Sequence, residues 1–215
     1  MLNKTKHLRK LCLSGCLILG LVCLSNPANA QFIGINADYA IAYSAAPGSV
    51  RGGSVGISHP APFFPNIGYS TVSFNDKEDK TDSESSSSVS LTTETTIKTI
   101  NLFYNVPFPV VSIAVGFGLG SDNIYTGVET ITTIVETYGG AERDKETSKF
   151  KTDVTEAFIR IGLPFWSTIE FHLGYHAMSF TSIDITKSAT LLGTYSIDKK
   201  SYSGGMTTIG VQVAF

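Results

Sequence analysis

Past residue 30 the sequence contains no cysteine, since Cys12, Cys16 and Cys23 all precede that point. A disulfide scaffold, a thiolate metal site and a cysteine nucleophile are therefore excluded for residues 31–215. Basic residues are also scarce there. Four of the 16 Lys and Arg (Lys4, Lys6, Arg9, Lys10) and none of the 18 Asp and Glu fall in the first thirty residues, which leaves a net charge of −6 on the remainder. Neutralising phosphates needs clustered Lys and Arg, so nucleic acid is not an expected partner. Long apolar runs are missing too. Leu11 to Leu24 is the longest, and it is short of the roughly 20 residues a helix needs to cross hydrocarbon.

The first thirty residues read as a targeting segment. Lys4 to Lys10 is basic, Leu11 to Leu24 is apolar, and Ala28-Asn29-Ala30 offers small residues for cleavage after Ala30. Leu13-Ser14-Gly15-Cys16 matches a lipobox, but cleavage there would leave Leu17 to Leu24 as an apolar tail. The expected division is a signal peptide at 1–30, removed, and one domain at 31–215.

From Gln31 onward the dominant pattern is two-residue alternation, with no sustained helical stripe. Ile33, Ile35, Ala37, Tyr39, Ile41 and Tyr43 alternate with Gly34, Asn36, Asp38, Ala40 and Ala42. Val111 to Gly120, Ile169 to Met178 and Thr208 to Phe215 repeat the pattern, and weaker strands are expected at 51–58, 67–74, 94–105 and 154–163. One face is large and apolar; the other is small or polar. A soluble sandwich would cover its outer face with charge, whereas a membrane barrel turns its apolar face to lipid and its small or polar face to the lumen. Eight segments fit an up-and-down antiparallel transmembrane β-barrel, which requires an even number of strands in the bacterial single-chain case.

The connections sort into two kinds. His59 to Asn66, Pro107-Phe108-Pro109 and Pro164-Phe165-Trp166-Ser167 are short or rich in proline and aromatics, while 44–50, 75–93, 121–153 and 181–204 are hydrophilic. Short periplasmic turns and longer extracellular loops are usual in outer-membrane barrels. Phe63, Phe64, Phe108, Phe165 and Trp166, with Phe32 and Phe215, would form an inner aromatic girdle at the headgroup level.

Parity places a set of ionisable residues in the lumen: Asp38, Glu156, Arg160, Glu170, His172 and His176. An antiparallel pair has a constant sum of residue numbers, and a turn at Pro164 to Ser167 predicts 330 or 332 between 154–163 and 169–178. Those registers set Arg160 across from Glu170 or from His172, and Glu156 across from Gly174 or His176. Asp38 would join through the barrel. An Arg buried without a carboxylate is strongly unfavourable, so the group is expected to hold the barrel closed.

Other motifs carry little chemistry. His172 and His176 lie four apart, which on a strand separates them by about 13 Å and keeps them from sharing one metal ion. No metal site and no cofactor is expected. His176, Ser179 and a loop acid would be the raw material for a lipid-modifying enzyme, but loops rich in Ser, Thr, Asp and Glu make such coincidences common. The acidic stretch Asp76 to Glu84, followed by Ser85 to Ser88, lacks the Gly and terminal Glu of a Ca²⁺ loop and reads as a solvated loop. Gly116-Phe117-Gly118-Leu119-Gly120 imitates a phosphate loop, yet its period of two marks lumen positions that let partner side chains cross the barrel.

Ile57-Ser58-His59-Pro60-Ala61-Pro62-Phe63-Phe64-Pro65-Asn66-Ile67 resembles the first periplasmic turn of a family of small, largely uncharacterised eight-stranded outer-membrane β-barrel proteins of Gram-negative bacteria. Thr99 to Tyr104, Ala157 to Phe165 and the Gly204-Gly205 start of the final strand are similar as well, while Ser44 to Gly48 is shorter than the family leads one to expect. The resemblance implies an outer-membrane location among lipid and lipopolysaccharide. It also implies Phe215 as an assembly signal read by the barrel-assembly machinery, and it supplies no catalytic residues. The expected function is structural or surface-interacting, with an extracellular ligand at loops 75–93 and 121–153. The alternatives are a narrow pore for small solutes and a lipid-modifying enzyme.

Overall fold

The computed structural model describes residues 33–214 apart from 47, 60–63, 83–86, 109, 167, 181–182, 190–192 and 201–202. The targeting segment with Ala30, as well as Phe63 and Phe215, lies outside the described residues. Regular structure is almost wholly β: β1 (Gly34–Tyr43), β2 (Val50–Ser58), β3 (Asn66–Asp82), β4 (Ser87–Pro107), β5 (Ser112–Gly120), β6 (Gly127–Tyr138), β7 (Ala141–Thr152), β8 (Val154–Pro164), β9 (Ile169–Phe180), β10 (Ile183–Ala189), β11 (Gly193–Lys200) and β12 (Gly204–Ala214). One short 3₁₀ turn, Asp122–Ile124, links β5 to β6.

Eight of these strands close into an antiparallel barrel in the order β1, β2, β3, β4, β5, β8, β9, β12 and back to β1. The closed ring accounts for the alternation, because every ring strand has one wall face outside and one inside. Ile35, Ile57, Ile67, Val115, Ile161, Leu163, Phe171 and Leu173 point outward and are exposed, whereas Asn36, Asp38, Ser70, Asn101, Glu156, Arg160, His172 and Thr208 point inward and are buried. A chain folding in water would invert this arrangement, since burying apolar side chains drives its collapse.

The hydrophilic segments are not plain loops. β3 and β4 run on past the barrel as one hairpin paired from Asn66–Phe103 to Asp82–Ser87. β6 then pairs with the outer part of β4, from Lys98–Gly127 to Ser87–Tyr138, while β5 pairs with the inner part. β7 completes this projecting sheet as its edge, and β10 and β11 form a separate hairpin. Period-two patterning inside 87–98 and 127–138 extends the strands there, with Val89, Leu91, Thr93, Thr95 and Ile97 on the buried face of β4 and Val128, Thr130, Thr132 and Ile134 on that of β6. On this projection Ser90 and Lys77 hold the Asp79 carboxyl below the usual carboxylate range.

Two further expectations are corrected. A bulge between Ala40 and Ala42 inserts Ile41 against β12 and reverses parity, so Tyr43 turns inward and meets the Phe74 ring at 5.5 Å. Between β8 and β9 the paired numbers sum to 334, which sets Arg160 beside Gly174 and Glu156 beside Met178, not beside Glu170, His172 or His176. The cause is the turn. Pro164 still occupies a paired position opposite Glu170, and the reversal is made by residues 165–168, with Phe165 N–H donating to Ile169 O at 2.9 Å and Ile169 N–H to Trp166 O at 3.3 Å. A proline at a strand terminus costs the ladder little.

Candidate functional site

The inward face of the ring builds three layers. At the end bearing the short turns lie Asn36, Ser58, Asn105, Ser112, Glu170 and Gln212, and there Ser112 Oγ donates to Glu170 Oε1 at 2.5 Å. Asn105 Nδ2 donates to Ser58 Oγ at 3.3 Å.

The middle layer holds the other five ionisable residues in two sets. Asp38 on β1 accepts from Arg160 Nη1 on β8 at 3.1 Å and from Ser54 Oγ on β2 at 2.6 Å, and it bonds His172 Nε2 on β9 through its other oxygen. Glu156 on β8 meets His176 Nδ1 at 2.5 Å and accepts from Thr99 Oγ1 at 2.6 Å. Thr99 also contacts Asn101, whose amide donates to Ser70. Arg160 lies against Phe103, with its Cζ 4.5 Å from that ring centroid and 5.3 Å from that of Phe158. Phe158 in turn stacks on His176 at 4.9 Å. The guanidinium is thus fixed by one carboxylate and two aromatic faces in a region of low dielectric.

All six expected residues line this lumen, but their partnerships differ from the sequence-based expectation. Glu170 bonds Ser112 and not Arg160; the direct carboxylate partner of Arg160 is Asp38. Phe103 and Phe158 are buried on an inward face that the alternation predicts to be small or polar. The signal available was Gly116, where an added Cβ would collide with the Phe158 and Phe103 side chains.

The third layer, at the hairpin end, is apolar. Ala40, Tyr43, Val72, Phe74, Ile97, Val128, Val154, Met178, Phe180 and Met206 pack into one buried cluster. Val128 belongs to β6, so the projecting hairpin contributes to the closure.

Thr208, His176 and Glu156 follow the order of a hydrolytic triad, with His176 Nε2 3.2 Å from Thr208 Oγ1 and Nδ1 on Glu156. Thr208 and His176 are each 1% exposed and Glu156 is 2% exposed, so the hydroxyl faces packed side chains and not a substrate cleft. Ser179 stands on the opposite face of β9 from His176, which separates the residues considered for a lipid-modifying site. Among the described residues no group of three His, Cys, Asp or Glu is arranged to hold a metal ion.

Outside the ring, Phe64, Phe108, Phe165 and Trp166 lie exposed at the end with the short turns. Phe165 packs edge-on to both Trp166, at 4.8 Å, and Phe171, at 5.8 Å. Beyond the opposite end, Lys149 pairs with Glu129 at 2.7 Å and Lys151 with Asp122, a contact that raises the Lys151 ammonium above its usual range.

No protein-family model matches the sequence, and no curated protein matches it. Solved structures similar to this chain include the N-terminal β-barrel domain of OprF from Pseudomonas aeruginosa, at 14% identity over 85% of this chain and 96% of that one with a TM-score of 0.42. A major outer membrane protein from Thermus thermophilus is similar at 11% identity over 85% and 99%, with a TM-score of 0.47. Neisserial surface protein A is similar at 15% identity over 85% and 96%, with a TM-score of 0.33.

Proposed function

We propose that this chain is an integral outer-membrane β-barrel with a filled, non-conducting lumen, and that its role is structural or surface-interacting. The observation that carries the reading is the inversion of the wall. Apolar side chains are exposed outside a closed ring whose inside carries polar and ionisable residues in the middle and a buried apolar cluster at one end. Such a wall is stable in hydrocarbon, where a closed ring leaves no backbone edge unpaired. Eight strands enclose a space that side chains can fill, and the burial of Asn36, Arg160, His176 and Thr208 supports that reading.

The same reading makes lipid and lipopolysaccharide the surroundings of the outer wall and gives the barrel-assembly machinery the task of inserting it. It assigns contact with extracellular ligands to the projecting hairpins, which include the segments 75–93 and 121–153. Two measurements test it together. Unboiled protein extracted in mild detergent should migrate differently from boiled protein, and the same preparation should give no steady single-channel current in a planar bilayer. A steady current would replace the filled-lumen reading with a narrow pore, and a helix-rich spectrum from water-soluble protein would remove the barrel from the membrane.

A further inference from the structure

The apolar face of the wall gives way to polar side chains earlier on β2 and β3 than on β1, β4 and β5. Five residues from the inner end of their strands, Tyr39, Leu102, Phe117, Ile159 and Ile209 point outward, but at the same count β2 and β3 present Gly53 and Thr71. Seven residues from that end, Ile41, Ile100 and Leu119 stand outside on β1, β4 and β5, while β2 and β3 present Arg51 and Ser73. The glycine has a steric reason of its own, because a Cβ at Gly53 would collide with the Asp38 carbonyl. No such constraint accounts for Arg51, Thr71 or Ser73.

The register joins these residues to β4. Thr71 lies beside Lys98, and Ser73 beside Thr96, with their hydroxyls 3.0 Å apart. Arg51 lies beside Ser73. The result is an outward patch with a cation at each end and three hydroxyls between, its two cationic Cα atoms about 12 Å apart from strand spacing and rise. Arg51 is exposed and Lys98 half-buried, and neither forms an ion pair among the described residues. Glu94 stands two residues from Thr96 on the same face of β4, and Glu129 of β6 lies beside Thr96. Lys98 borders a cleft of about 210 Å³ shared with Asp122, Glu129 and Lys151, in which Asp122 bonds Lys151, and Glu129 is held by Lys149.

We infer that the Arg51–Thr71–Ser73–Thr96–Lys98 patch is a docking site for the phosphate-bearing headgroup of an outer-leaflet lipid. The inference rests on the membrane reading above, because only in a bilayer does this height of the wall face lipid. Arg51, Lys98 and the Thr71 hydroxyl facing acyl chains would go unsatisfied at considerable cost. A phosphate oxygen accepts from all of them, and a guanidinium binds phosphate through two parallel N–H groups. The wall beside the patch returns to Ile100 and Tyr69, which suits the acyl chains of the same lipid.

The test uses the full barrel in phosphatidylcholine nanodiscs doped with lipid A, with retained lipid counted by native mass spectrometry. Heat-modifiable mobility in undoped discs comes first, and its absence would remove the membrane reading itself. Given an inserted barrel, wild type should retain lipid A in preference to phosphatidylcholine. R51A/K98A should lose about tenfold or more of that retention, as two charge-assisted contacts imply. Lys145→Ala, on the exposed edge strand, should leave retention unchanged, and R51K/K98R should restore most of it. Equal retention by wild type and R51A/K98A would overturn the site. So would disulfide-linked dimers of Arg51→Cys without lipid A retention, which would make the patch a contact between copies of the chain.

Discussion

Arg160 on β8 reaches across the barrel to Asp38 on β1, Nη1 to Oδ2 at 3.1 Å, and both side chains are buried. Removing either partner leaves an uncompensated charge in a packed interior, which costs on the order of 3–5 kcal/mol. Arg160→Leu and Asp38→Asn should therefore each lower stability toward urea in detergent micelles. The double variant should lose clearly less than the sum, with a coupling of about 0.5–3 kcal/mol. Glu170→Gln should couple to Arg160→Leu more weakly than Asp38→Asn does, since Glu170 bonds Ser112 and acts on Arg160 only through its charge. Additive losses for Asp38 and Arg160, measured in the same series, would show that the two charges are solvated separately.

Phe158 fills the space between Phe103, His176 and Arg160. Phe158→Ala empties it and should cost about 3–5 kcal/mol in the same unfolding measurement. Phe117→Ala, one strand away on the outer wall and half exposed, should cost much less. Equal losses would mean that the lumen is not packed at this level.

The barrel was legible because a period of two is a direct projection of a wall with two different sides, and Ile35, Val115 and Leu173 show it without interruption. The lumen residues were legible for the same reason, since parity alone assigns Asp38, Arg160 and His172 to one face. Partnership was not legible. It depends on register, which a shift of the reversal to 165–168 changes by a step of two, and on contacts such as Arg160 to Asp38 that span the ring between strands far apart in sequence. The fate of Tyr43 depended on one inserted residue, for which Ala40-Ile41-Ala42 carries no mark. The hydrophilic segments misled in another way, because their charges conceal an alternation of Thr, Val and Ile that builds β4 and β6 well beyond the barrel.

Trp166 is the only tryptophan of the chain, so its fluorescence reports one position. It is 64% exposed beside Phe165 at the end with the short turns. An indole there belongs at the headgroup level, with its N–H among polar groups. In reconstituted vesicles its emission should be quenched most by lipids brominated near the headgroup and little by those brominated at the chain end. Strong quenching by aqueous iodide with none from either lipid would move this end of the barrel out of the interface.

Orientation follows from which end carries the projections. The connections 59–65, 108–111 and 165–168 lie at the end where β1 begins and β12 ends, while the β3–β4 and β6–β7 hairpins extend from the other. β7 presents Lys145, Lys149 and Lys151 with Glu142, Asp144 and Glu146, and its exposed charges suit water and discourage edge-to-edge pairing. The hairpin tip at Gly139 and Gly140 has positive φ angles of 56° and 80° and open space around both residues, so an inserted epitope there should leave the ladder intact. That epitope should bind antibody on intact cells, whereas one inserted beside Val110 should bind only after the outer membrane is permeabilised. The opposite labelling would turn the barrel over and place the basic patch of Arg51 and Lys98 against the inner leaflet, while leaving the closed ring itself untouched.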